Sequence, residues 1–64
     1  MDYFLAKSDR QLGICIRMLN DEGFTILSVE SVKNANNRME LHVCIDTSEE
    51  RFARLNARYK TMIS

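Results

Sequence analysis

The stretch from Leu12 to Val29, LGICIRMLNDEGFTILSV, decides the fold. Leu12, Cys15, Ile16 and Leu19 recur at steps of three and four, the spacing that gathers side chains on one face of an α-helix. Phe24, Ile26, Leu27 and Val29 then switch the chain to the two-residue period of a strand. Asn20, Asp21, Glu22 and Gly23 supply the turn between them, because glycine takes the left-handed conformation that ends a helix without a Cβ clash. A helix running through one turn into a strand is therefore the unit around which the rest must be placed, and it contains no catalytic motif.

Upstream, MDYFLAK is a short aromatic and aliphatic run that suits a strand of about five residues. Ser8 followed three residues later by Gln11 is the capping-box pattern, so the first helix is expected to start at Ser8 or Asp9, with Asp9 at the positive end of the helix dipole. Downstream, the second strand is expected to reach about Val32 and to end in the asparagine-rich turn Lys33 to Asn37. Arg38 to Asp46 alternates cleanly, with Met39, Leu41, Val43 and Ile45 on one face and Glu40, His42, Cys44 and Asp46 on the other. Thr47 with Glu50 repeats the capping pattern and opens a second helix, whose apolar stripe is Phe52, Leu55, Tyr59 and Met62. Glu50 and Arg54 add an i, i+4 pair.

The order strand, helix, strand, strand, helix predicts one α+β domain over residues 1–64: a ferredoxin-like βαββα sandwich with a three-stranded sheet, an antiparallel hairpin within it, and both helices on one face. The first strand is expected beside the third and parallel to it. The fold's usual last strand is missing or supplied by another chain, which leaves Tyr3 to Ala6 as an open edge that invites a second backbone. Tyr3, Phe4 and Leu5 are therefore expected interface residues, together with the loop Lys7 to Leu12.

Size and composition narrow the function. A chain of 64 residues buries only about 60% of its unfolded surface, which favours association with another chain. Nine basic residues balance nine acidic ones, so net charge gives no pull toward nucleic acid or an anionic membrane. No apolar run approaches the ~20 residues that span a bilayer, and no secretory signal pattern opens the chain, so a cytoplasmic location is expected. Cys15 sits on the apolar helix face and Cys44 in a strand; two buried thiols are expected, with a pairing left open. A single histidine and no CxxC spacing argue against a zinc site, and neither a metal nor a cofactor is expected.

His42 and Cys44 share a strand face, but i and i+2 neighbours sit roughly 6–7 Å apart, too far for direct proton transfer. The chain is accordingly read as a binding protein and not an enzyme. Five aromatics are present, yet the third strand offers Glu40, His42, Cys44 and Asp46 where an RNA-stacking sheet shows aromatic rings. Arg51, Arg54 and Arg58 fall within about 60° of one another around a helix. They form either a docking stripe for an acidic partner or phosphate, or a solvated flank paired with Glu49 and Glu50. Met18, Met39 and Met62, with Ile14 and Ile63, suit either an adaptable binding surface or gaps in the core.

Leu12, Arg17, Leu19, Gly23, Phe24, Ile26 and Ser28, followed by the alternating RMELHVCID and the charged helix ERFARLNARYK, resemble the ACT domain. Within that family the chain looks most like the small regulatory subunit of acetolactate (acetohydroxyacid) synthase. The resemblance implies a homodimer that binds and activates a larger thiamine-dependent catalytic subunit in branched-chain amino-acid synthesis, with a small amino-acid effector as a further ligand. It places the effector near Lys7, Arg10, Gln11, Leu12 and Thr25. The family's glycine, upstream polar residue and asparagine are replaced here by Arg10, Lys7 and Thr25, a pattern closer to small subunits that activate without sensing feedback. Two alternatives remain: a stand-alone interaction module or inhibitor using the open sheet edge, and a nucleic-acid-binding module using the arginine stripe.

Overall fold

The computed structural model describes residues 2–64. Strand β1 (Phe4–Ala6) leads into helix α1 (Asp9–Asp21), strands β2 (Ile26–Lys33) and β3 (Met39–Ile45) form a hairpin, and helix α2 (Glu49–Ile63) follows. The sheet order is β1-β3-β2. Its three-stranded antiparallel sheet, two helices and βαββα order are compatible with a ferredoxin-like fold.

The central strand is β3, and it runs antiparallel to both neighbours, with Phe4 opposite Val43 on one side and Val29 opposite Val43 on the other. The expected parallel pairing of the first and third strands is thus corrected. A hairpin reverses direction, so only one of its strands can run along β1, and that strand is β2, across the sheet from it.

Local chemistry sets the boundaries. Ser8 caps α1, its Oγ accepting from the Gln11 amide at 3.2 Å. The Gln11 side chain does not complete the box at Ser8; its Oε1 instead accepts from the Lys7 amide at 2.9 Å. Gly23 ends the helix turn at φ 83°. Between the hairpin strands, Asn37 takes φ 62°, while Asn34 Oδ1 accepts from the amides of Asn36 and Arg38. At α2 the cap is Ser48 and not Thr47, because Ser48 is the residue whose Oγ stands three positions before the free amide of Arg51.

One face of the sheet carries the core. Phe4, Val43 and Ile45 meet Cys15, Met18 and Leu19 of α1 and Leu55 and Tyr59 of α2, with Phe52 packed against them. Phe4 and Phe52 rings lie 4.7 Å apart and Phe4 meets Tyr59 edge-on at 6.0 Å. The methionines divide: Met18 is buried in this core, whereas Met39 and Met62 are exposed. Cys15 is buried among them and burial pushes its thiol up to about 11. Cys44 occupies the alternate register between Val43 and Ile45 and so turns to the other face, and both cysteines are free. Among the described residues no helix is long and apolar enough to cross a membrane.

Candidate functional site

A three-stranded sheet has two borders, and here they are built differently. The β1 border is three residues long, and Phe4 and Ala6 face inward with no exposure at all. The Phe4 side chain therefore belongs to the core, turned away from the border. Two main-chain groups of this border are already taken inside the chain. Tyr59 Oη donates to the Leu5 carbonyl at 2.8 Å, and the Lys7 amide donates to Gln11 Oε1 at 2.9 Å. Burial, and then the proximity of Cys15, push the Tyr59 hydroxyl up to about 12, so it stays a donor across the physiological range.

Between this border and α2 lies a groove of about 440 Å³. Tyr3, Leu5, Lys7 and Gln11 form its strand wall; Asn56, Tyr59, Lys60 and Ile63 form its helix wall. Sequence reading had placed the first four near a site. It missed the helix wall, although one signal was present: a tyrosine in an apolar stripe needs a partner for its hydroxyl once buried.

The other border is β2, eight residues of which nearly all are exposed. Leu27 is 62% exposed and Val29 42%, with Val32 also open. Val29 opposes Val43 and therefore lies on the helix-bearing face, but the helices do not reach far enough to cover it. A register shift between Ile26 and Ser28 marks a bulge at Leu27, beyond which Ser28 to Lys33 pairs regularly with β3.

The five expected effector residues do not converge. Lys7 and Gln11 share the groove. Arg10 borders a separate shallow hollow with Gly13, Arg17 and Met62, while Leu12 packs against the core. Thr25 follows the far end of α1, a helix of 13 residues and so about 20 Å long. The helix that the sequence places between Ser8 and Gly23 is what separates these positions.

Arg51, Arg54 and Arg58 do gather, lining a cavity of about 470 Å³ with Glu22 and Leu55. Two of them are committed within the chain: Arg58 bonds to Glu22, and the Arg51 guanidinium lies 4.7 Å from the centre of the Phe24 ring. On the open sheet face, the Tyr3 and His42 rings lie 3.7 Å apart, tilted by 37°, His42 Nε2 meets Glu40 Oε1 at 3.3 Å, and Asn34 Nδ2 donates to Glu40 at 2.9 Å. The bonds from Asn34 and then His42 hold the Glu40 carboxyl below its ordinary range. His42 is thereby braced between a ring and a carboxylate. Among the described residues, no three His, Cys, Asp or Glu side chains are grouped to hold a metal ion.

Compared with protein-family models, curated proteins and solved structures, the chain matches none.

Proposed function

We propose that this chain is an association module, an ACT-like small subunit that joins a second copy of itself through β2 and activates a larger partner enzyme. The observation that carries the first half is the β2 border. Eight residues long, it contains no proline, exposes three aliphatic side chains, and pairs on one side only. Such an edge is a template for another strand.

Its sequence favours its own copy. In a two-fold antiparallel pairing that keeps the helix-bearing faces together, opposed residues share a face, so the axis must pass through a residue. An axis at Glu30 sets two carboxylates face to face, which is unfavourable. An axis at Val29 opposes valine to valine and sets Ser28 against Glu30 of the second copy, joining two three-stranded sheets into one of six. The second half, activation of a thiamine-dependent synthase of the acetolactate type, rests on the residues that resemble that family's small subunit.

Mass in solution tests the dimer: twice the chain mass is expected, and a monomer at high concentration overturns it. Addition to an acetolactate synthase catalytic subunit tests the activation, with raised turnover expected and unchanged turnover refuting it. Valine, leucine or isoleucine should leave the melting temperature unmoved, since a ligand specific for the folded state would raise it and the expected effector residues are dispersed.

A further inference from the structure

The dimer border leaves the β1 groove unused. Tyr3, Leu5 and Ile63 give it an apolar lining, and its charged residues are Lys7 on one wall, which also acts on Glu40, and Lys60 on the other, which also borders Asp2 and Glu49. Among the described residues, no carboxylate lines it. Its strand wall, Tyr3 to Lys7, spans about 13–17 Å at the rise of a β-strand, the length of a four- or five-residue extended segment. Tyr59 and Gln11 hold main-chain groups that a neighbouring strand would otherwise hold. A carbonyl has two lone pairs, so the Leu5 oxygen can keep Tyr59 and accept a second donor. The Gln11 amide sits on a flexible side chain at a helix start and can swing aside.

From this placement we infer that the groove accepts an extended acidic segment of a partner protein as a fourth strand beside β1, its carboxylates meeting Lys7 and Lys60. This inference rests on the association reading but uses the opposite border. The segment gains main-chain pairing from β1 and apolar contact from Tyr3, Leu5 and Ile63, while the two lysines select against basic sequences.

The test is an amide NMR titration of the whole chain with a blocked hexapeptide of alternating valine and glutamate. Shifts confined to Tyr3–Lys7 and to residues 56–63 are expected. The same peptide with proline at two of its three valines keeps the charge but cannot pair, and should bind at least tenfold more weakly; equal binding overturns strand addition. The double variant Lys7→Glu, Lys60→Glu should lose the glutamate peptide and gain the valine–lysine one, and an unchanged preference overturns the role of the lysines. Shifts mapping to β2, or none at millimolar peptide, overturn the site. Growth of the chain beyond a dimer that the double variant abolishes would assign the groove to a second copy and overturn the partner segment. Repeating the titration on Val29→Lys separates the two readings: peptide binding that survives in a monomer supports the groove independently of the dimer.

Discussion

The β1 and β2 borders flank the same central strand, yet β1 is short, inward-facing and bonded to side chains of both helices, whereas β2 is long, exposed and bonded only to β3. The difference follows from what lies over each. Residues Phe52 and Tyr59 of helix α2 pack against Phe4 of β1, while β2 is exposed along most of its length. An edge under a helix becomes a groove, and an edge beyond it remains a ledge.

The largest effect that would break this contrast lies in the core. Phe4→Ala removes a fully buried ring and should cost about 3–5 kcal/mol, whereas Val29→Ala should cost about 0.5 kcal/mol in the monomer. Urea denaturation at low concentration checks both, and similar losses would mean that β2 is as anchored as β1. Next, Val29→Lys should halve the mass in solution at a concentration where the parent is dimeric, because two ammonium groups then oppose one another at the axis. Smaller again, Tyr59→Phe deletes the donor to Leu5 and should cost about 1 kcal/mol. Hydrogen exchange should quicken in β1 and stay unchanged in β2.

The smallest effect concerns Glu40, at the hairpin end. Its carboxyl is held low in the folded state, first by Asn34 and then by His42. A depressed carboxylate contributes stability that is present above the ordinary unfolded value and is lost as pH falls through the folded one. Glu40→Gln should therefore flatten the acid side of the stability profile slightly and leave neutral pH nearly unchanged, as thermal melts between pH 3 and 7 would record.

Element order was legible because it depends on local signals. Ser8, Gly23 and the asparagines near residue 37 act on their own neighbours and set the helix start and the two turns, although Gln11 does not close the box at Ser8 and Ser48 stands in for Thr47 as the second cap. Strand direction was misread because it depends on the path of the whole chain: a hairpin and a crossover together fix which strand runs along β1. The groove was half legible. Lys7 and Gln11 sit next to the strand in sequence, but Lys60 and Asn56 reach it only through the docking of α2, a contact between residues far apart in the chain. Thr25 lies beyond the far end of α1, apart from Lys7 and Gln11.

The bond from Tyr59 to Leu5 joins positions 54 apart, and it gives the molecule a timetable. During synthesis the opening strand emerges first, yet its partners are β3 and α2, which leave the ribosome much later. Tyr3 to Lys7 must wait, unpaired and apolar, until the chain behind them arrives. Tyr59 reaches Leu5 only once α2 is docked, so shortening that helix before Tyr59 should loosen the first strand as well as the helix.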